Sequence, residues 1–266
     1  MKKYEIIDAH CHIYPEKIAD KAVGATDNFY GVKSFGKGTV ENLIKLSKKA
    51  GISHAIVQSV ATTPKQVESI NRFIAKEVAE SNGFLTGLGT LHPDSCDLED
   101  DISLIKELGL KGVKLHPDIQ RFKLDDYRML KIYELCEGRL PLLVHTGDNR
   151  YDYSNPNRII PILEIYKDLT FIGAHFGGWS IWEEATEKLK GYPNFYVDCS
   201  SSLYAISAET AGKLIKEYGA DRVLFGTDYP MWMPEDEIER FLKIDLNETE
   251  RQDILYNNAA RLFNIK

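Results

Sequence analysis

The sequence of 266 residues lacks several features that would point to particular classes of protein. It has only four cysteines and no CxxC pair, so the spacing of the cysteines suggests neither a zinc ribbon nor a redox pair. It also contains no run of about 18 apolar residues, and charged residues interrupt the N-terminus before an apolar stretch of signal-peptide length forms. We therefore expect a soluble, cytoplasmic chain with reduced thiols and no membrane partner.

Positive charge is scarce as well. The chain has 33 Lys and Arg against 40 Asp and Glu, its formal net charge is -7, and no basic run occurs. A nucleic-acid partner is therefore not expected. Apolar residues make up 43% of the sequence, which is enough for a sizeable core. No linker or low-complexity segment divides the chain, so it is predicted to form a single domain over residues 1–266.

Short apolar runs rich in β-branched and aromatic residues predict eight strands. Amphipathic stretches of helical period lie between them, and strands that alternate with helices predict a parallel sheet. The first two runs start about 50 residues apart, and later ones follow every 25 to 30 residues or so. The runs cover residues 4–8, 55–59, 85–91, 112–115, 142–145, 170–174, 195–197 and 223–226.

Two helices and one long irregular segment can be assigned directly. A helix is predicted over 40–50 and is expected to end at Gly51, and another helix is predicted over 249–263. A capping box at Asn247 fits the start of the second helix, although Thr249 could serve as the N-cap instead. The segment 13–38 is predicted to be an irregular insertion that lies over the mouth of a barrel as a lid or substrate loop.

The histidines decide between a barrel and an open doubly wound sheet. In strand geometry His10 and His12 point to one face, and Cys11 points to the other, toward the helices. Later strands also end in polar groups, namely Lys114, His116, His145, His175 and Asp228. Only in a barrel do the ends of strands so far apart in order meet at one face. The sequence therefore predicts an α/β protein with a (β/α)₈ TIM barrel and a site at the strand ends.

Six segments together resemble the amidohydrolase superfamily. Within it, the similarity is to the amidohydrolase-related group that includes aminocarboxymuconate semialdehyde decarboxylase and several small-ring hydrolases. The resemblance spans nearly the whole chain. It is carried by DAHCH (8–12), GVKLHP (112–117), LVHT (143–146), GAHFGG (173–178), FGTDYP (225–230) and NAARLF (258–263).

The resemblance implies a metal site. According to this resemblance, His10, His12, His145 and Asp228 bind zinc or another divalent ion, and His175 is either a further metal ligand or an acid/base residue. The chemistry of the donors agrees, because neutral imidazoles with one carboxylate and an open position form a catalytic zinc site.

Lys114 leaves the number of ions open. In the wider superfamily, a lysine after the fourth strand can be carboxylated and bridge two metals, and the setting of Lys114 is similar. The alternative, slightly favoured, is an unmodified ammonium that holds a substrate carboxylate beside a single ion.

Weaker candidates surround these residues. His116, Trp179 and Tyr204 lie just past strand ends and are expected to contact the substrate. His92 follows the third strand and could also line the mouth. Asp198 could orient a metal ligand, or only accept hydrogen bonds from backbone amides.

These residues predict a metal-dependent hydrolase that acts on a small, carboxylated substrate. A divalent ion lowers the pKa of bound water to about 7, Asp228 would accept and return a proton, and His175 would stabilise the oxyanion or carry a proton. The nearest alternative is a non-oxidative decarboxylase of the same group. A metal-dependent deoxyribonuclease is more distant, since such enzymes typically carry glutamate at the position of Lys114. A metabolite-binding barrel without activity is the alternative outside enzymes, and a homodimer is possible.

Overall fold

The computed structural model describes residues 4–265, in which parallel strands alternate with helices. The strands are β1 (Ile7–His12), β2 (His54–Gln58), β3 (Leu85–Gly87), β4 (Gly89–Thr90), β5 (Val113–Leu115), β6 (Leu142–Val144), β7 (Phe171–Gly173), β8 (Phe195–Asp198) and β9 (Val223–Leu224). The helices are α1 (Glu16–Tyr30), α2 (Val40–Ala50), α3 (Val67–Glu80), α4 (Leu98–Glu107), α5 (Pro117–Gln120), α6 (Leu130–Cys136), α7 (Pro156–Ile165), α8 (Trp182–Leu189), α9 (Ala208–Tyr218), α10 (Pro234–Leu242), α11 (Glu248–Gln252) and α12 (Asn258–Phe263).

The strands form the predicted (β/α)₈ barrel. One sheet has the order β1-β2-β3 and the other runs from β4 to β9. Leu88 alone separates β3 from β4, so these two strands are the halves of the third predicted strand. The amide of Leu88 donates to the carbonyl oxygen of Val57 at 2.9 Å. On the other side, the amide of Ala9 donates to the carbonyl oxygen of Phe225 at 2.9 Å. Hydrogen bonds therefore bridge both junctions between the sheets.

Two sequence predictions about the first βα unit were wrong. The first strand covers Ile7–His12 instead of 4–8, so the two histidines lie inside it. The segment 13–38 is not irregular throughout, because helix α1 occupies Glu16–Tyr30. A glycine at position 24 lies in the middle of this helix, and glycine disfavours helix by about 1 kcal/mol relative to alanine, which weakened the helical signal. The predicted position over the mouth is correct, since α1 lines the cavity described below.

The helix ends follow the local capping rules. Helix α2 ends where Gly51 adopts the left-handed conformation, with φ of 83°. The C-terminal helical segment starts after Asn247, whose side chain accepts the amide of Glu250 at 3.0 Å in a capping box. Thr249 is therefore not the N-cap. A π-helical segment, Asp253–Asn257, joins α11 to α12.

The apolar core has two parts, and both leave the strand ends free for polar groups. The larger part lies between the barrel and the helices and includes Cys11, which faces away from the two histidines as predicted. The smaller part fills the barrel interior with residues such as Ile7 and Ile56, and Phe263 of α12 packs against it. In the described part of the chain, the cysteines are unpaired and no helix is both long and apolar enough to cross a membrane.

Candidate metal centre

Four predicted site residues from distant parts of the chain meet at the C-terminal end of the barrel. The Nε2 atoms of His10 and His12 lie 3.2 Å apart. Asp228 follows β9 and places its Oδ1 atom 3.3 Å from His10 Nε2 and 3.5 Å from His12 Nε2. The Nζ atom of Lys114 lies 3.1 Å from His10 Nε2. These distances bring two imidazoles, one carboxylate and one amine around a common point.

Close backbone packing makes room for this cluster. Gly226 stands beside His10, and a Cβ atom at position 226 would lie only 2.9 Å from the Cβ atom of His10. A larger residue there would push the strand that carries the histidine. The register of β1 against β2 also shifts between Asp8 and Cys11, and irregular pairing of this kind is common beside active sites.

A second pair of histidines adjoins the first group. His145 follows β6 and His175 follows β7, and the Nδ1 atom of the former lies 3.1 Å from the Nε2 atom of the latter. The ring centroids of His10 and His175 are 5.3 Å apart, so the two groups are continuous. The sequence-predicted set of His10, His12, His145, His175 and Asp228 therefore lies together, with Lys114 beside it.

The neighbours of two histidines fix which ring nitrogen carries the proton. His175 Nδ1 lies 2.9 Å from the carbonyl oxygen of Ser200, which can only accept, so this nitrogen donates and Nε2 keeps its lone pair. His10 Nδ1 lies 2.9 Å from Asp198 Oδ2, so the same argument leaves the lone pair of His10 Nε2 directed into the centre. Asp198 also accepts the backbone amides of His175 and Ser200, so it contacts both a candidate ligand and backbone amides.

Burial keeps the histidines of this cluster neutral. It lowers the pKa of His12 and His145 well below the ordinary value and that of His175 to about 4, because a charged imidazole would be desolvated. Burial likewise lowers the pKa of Lys114 to about 8. Asp198 behaves in the opposite way: its interaction with His10 keeps the pKa of this carboxyl below its usual range, although burial alone would raise it.

The donor set fits a divalent cation. Metal ions bind neutral imidazole nitrogens and carboxylate oxygens, and the lone pairs of His10 and His175 are fixed toward the centre by the contacts described above. Within the described residues, His10, His12 and Asp228 place one ligand atom each within 4.8 Å of one another.

A neighbouring triad of His116, Asp118 and His145 meets the same distance criterion but cannot hold an ion in the same way. The rings of His116 and His145 stack face to face, with centroids 4.0 Å apart and planes inclined by 6°. An imidazole nitrogen directs its lone pair in the plane of its ring, so two parallel stacked rings cannot aim at one cation. We therefore assign no second metal site to the triad.

Asp118 instead faces the outer nitrogen of a candidate ligand. Its Oδ2 atom lies 3.8 Å from His145 Nε2 and accepts the hydroxyl of Ser154 at 2.6 Å. Its Oδ1 atom and His145 Nε2 are buried and have no hydrogen-bond partner in the described part of the chain. Sequence reasoning missed Asp118, although it stands only two residues after His116.

Tyr30 was also missed, because it belongs to the unpredicted helix α1. Its hydroxyl lies 2.7 Å from His116 Nε2. The backbone amide of Ile119 donates to His116 Nδ1 at 3.3 Å, so Nε2 carries the ring proton and donates it to the tyrosine oxygen. The hydroxyl proton of Tyr30 is thus free to donate elsewhere. Burial raises the pKa of Tyr30 well above its ordinary value, which keeps that proton in place.

The predicted substrate-contacting residues divide between two spaces. His116 lines a large cavity of about 570 Å³ that includes the metal-centre residues and extends along α1. Trp179 and Tyr204 line a small pocket of about 20 Å³, together with Tyr30, His145 and Asp228. All three thus lie beside the candidate metal centre.

His92, and Arg158 as a cation that could otherwise bind a substrate carboxylate, both have other partners. His92 accepts the backbone amide of Asp94 through Nδ1 at 3.2 Å. Arg158, a possible partner for a substrate carboxylate, already pairs with Asp125 at 2.6 Å and with Asp152.

A barrel with this cluster at its strand ends defines a class of enzymes that act through bound divalent cations. The family model of amidohydrolases matches residues 7–265 of this chain. The chain therefore belongs to the amidohydrolase family and is an enzyme of that superfamily. No curated protein matches it.

Solved structures agree with the fold. An uncharacterised TIM-barrel protein from Bordetella bronchiseptica has 22% identity and a TM-score of 0.79, with 98% of each chain covered. A dihydroxybenzoic acid decarboxylase from Polaromonas, with bound manganese and the inhibitor 2-nitroresorcinol, has 17% identity and a TM-score of 0.75 over 98% of this chain and 97% of that one. A putative 2-pyrone-4,6-dicarboxylic acid hydrolase from Pseudomonas putida has 20% identity and a TM-score of 0.70 over 100% and 99%.

Proposed function

We propose that this enzyme is a metal-dependent hydrolase of a small carboxylated substrate. The observation that carries the proposal is the way Asp228 is held. Its Oδ1 atom faces the Nε2 atoms of His10 and His12, and its Oδ2 atom accepts the hydroxyl of Ser201 at 2.5 Å. Ser201 in turn accepts the indole N–H of Trp232 at 2.8 Å. One carboxylate oxygen is thereby kept at the reaction centre in a fixed orientation.

In this proposal His10, His12, His145 and Asp228 hold one divalent ion, and zinc is the choice that best suits imidazole donors with one carboxylate. When bound, the ion would lower the pKa of a water molecule and polarise the substrate. Metal analysis of the purified protein tests the choice, because manganese is present in the Polaromonas decarboxylase.

The protein groups have separate tasks. Asp228 accepts the proton of the attacking water and returns it to the leaving group. His175 Nε2, which keeps its lone pair because Nδ1 donates to Ser200, lies beside the centre to ligate the ion or carry a proton. Lys114 stays unmodified and its ammonium holds a substrate carboxylate, so that the intact mass of the chain equals the mass of its sequence.

Decarboxylation is the second candidate. The aromatic residues Phe29 and Tyr30 line the large cavity together with Lys114, which suits a carboxylated ring. The Polaromonas neighbour acts on such a ring by name. In this reaction the bond between ring and carboxylate breaks, carbon dioxide leaves, and a protein acid donates a proton to the ring carbon.

Isotopes separate the two reactions. The metal-loaded enzyme is incubated with a panel of carboxylated lactones, amides and hydroxybenzoates in ¹⁸O-labelled or deuterated water. Hydrolysis adds one solvent oxygen to the product acid, whereas decarboxylation releases carbon dioxide and places one solvent deuterium on the ring. Binding of the panel without either label in any product would contradict both candidates and favour a metabolite-binding protein.

A further inference from the structure

A groove between α1 and α3 continues outward from the candidate metal centre, and the reaction proposed above assigns it no role. The groove is the outer part of the cavity of about 570 Å³. Cavities of about 300 to 1,000 Å³ typically enclose drug-sized ligands. A substrate that consisted of one small carboxylated ring would leave much of this space to water.

Helix α1 presents an apolar stripe to the groove. The stripe consists of Ile18, Ala22, Ala25 and Phe29, which follow each other at intervals of four, three and four residues and so share one helix face. A different face of α1, with Ala19 and Val23, is buried against the protein. The stripe is thus a second apolar face of this helix, and Ile18 is 43% exposed.

Helix α3 provides the opposite wall. Ile70 and Phe73 lie one turn apart and line the same cavity, whereas Val67 and Ile74 of α3 are buried in the core. Apolar side chains therefore face each other from two helices. The side chains of Ala22 and Ala25 in α1 are small and leave space between the two helices.

The charges along the groove indicate which end of a ligand lies where. Lys114 and the imidazoles stand at its inner end, and the exposed Lys17 lies at its outer part. Asp228, in the metal centre, is the sole carboxylate among the described residues that line the cavity. A ligand with an anionic head at the centre and an uncharged apolar body in the groove matches this distribution.

We propose that the substrate carries an alkyl chain of several carbons attached to its carboxylated head, and that this chain lies between α1 and α3. The identity of the head rests on the proposed function, but the binding of the chain does not require turnover. Each methylene group transferred from water to the apolar groove strengthens binding about fourfold.

Straight-chain carboxylates from butanoate to decanoate test the inference as ligands of the metal-loaded, full-length protein. Isothermal titration calorimetry is expected to give a Kd that falls about fourfold per methylene until the groove is full. Ala22→Phe and Ala25→Phe would fill the groove, so each removes the gain for octanoate and decanoate and leaves the Kd of butanoate unchanged. Asp20→Phe is the matched control, because Asp20 is exposed on the side of α1 turned away from the groove.

A Kd independent of chain length would overturn the inference, and so would a chain-length gain that survives in both alanine variants, since that result indicates unspecific adsorption. A failure of the proposed function would give a different result. In that case neither hydrolysis nor decarboxylation is detected for any substrate, while the chain-length dependence of binding and its loss in the two variants persist.

Discussion

The carboxylate of Asp118 faces the Nε2 atom of His145 across 3.8 Å, in a buried place where neither that nitrogen nor Asp118 Oδ1 has a hydrogen-bond partner among residues 4–265. His145 Nδ1 points the other way, toward His175. If Nδ1 is to bind a cation, Nε2 must carry the ring proton, and Asp118 is the acceptor placed to stabilise that tautomer.

Asp118→Asn is therefore expected to weaken metal binding about ten- to a hundredfold while the fold remains intact. Competition with a chelator measures the metal affinity, and circular dichroism monitors the fold. Asp125→Asn is the control, since Asp125 pairs with Arg158 outside the centre. An unchanged metal affinity in the Asp118 variant would show that the carboxylate does not position His145.

Asp228→Asn is expected to lower turnover to less than about a tenth of the wild-type value, because an amide cannot accept the proton from water. The fold should persist, since the amide oxygen of Asn can still accept the hydroxyl of Ser201. Turnover is measured on the substrate found in the isotope experiment. Asp236→Asn, an exposed position on α10, serves as the control. Activity above about a tenth in the first variant would reject the role of Asp228 as the base.

Tyr30→Phe is expected to lower kcat about a hundredfold with little change in KM, because the free hydroxyl proton would donate to charge that develops in the transition state. Tyr151→Phe is the matched control, as its ring stacks on Phe29 at 5.6 Å and is 40% exposed. Steady-state kinetics distinguish the two variants. An equal, small effect of both substitutions would mean that the hydroxyl of Tyr30 only packs against His116.

The buried side chain of Glu237 allows a prediction of how the free energy of unfolding depends on pH. Burial raises its pKa from 4.5 to about 7, and its Oε2 atom has no hydrogen-bond partner among the residues that the structure describes. The folded protein thus keeps the proton between these values while the unfolded chain loses it. The contribution of Glu237 to the free energy of unfolding should therefore fall as the pH rises from about 4.5 to 7, by up to ~3 kcal/mol, and then level off.

Chemical denaturation at several pH values measures this dependence for the wild type, Glu237→Gln and Glu235→Gln. The glutamine at 237 should remove this contribution, because it has no proton to release, so the difference in the free energy of unfolding between wild type and Glu237→Gln should change over this pH range. Glu235, which pairs with Lys49 at the surface, is the control and should behave as the wild type does. Identical slopes in all three proteins would rule out Glu237 as the source.

Most of the barrel could be predicted because its strands are locally encoded. The run at 142–145, for example, became β6 within one residue, since a buried parallel strand needs a continuous apolar run. Helix α1 was missed because a glycine within it and the polar residues of a surface helix resemble a loop. The extent of the domain, 1–266, and the possible homodimer stay predictions.

The roles of the site residues also stay predictions, but their proximity depended on a simple rule. Side chains at the ends of parallel strands meet at one rim, so His10, His145 and Asp228 could be grouped from their positions after strands. Asp118 and Tyr30 escaped this rule, since neither directly follows a strand.

The sequence by itself determined the alternation of strands and helices along most of the chain, the family and the set of imidazoles and carboxylates at the strand ends, because period, turn chemistry and motif are properties of short segments. Only the tertiary structure decided which nitrogen of His10 and of His175 carries a proton, which carboxylate faces His145, and that α1 and α3 enclose an apolar groove. Those features depend on contacts between residues far apart in the chain, and burial gives such contacts their energetic weight.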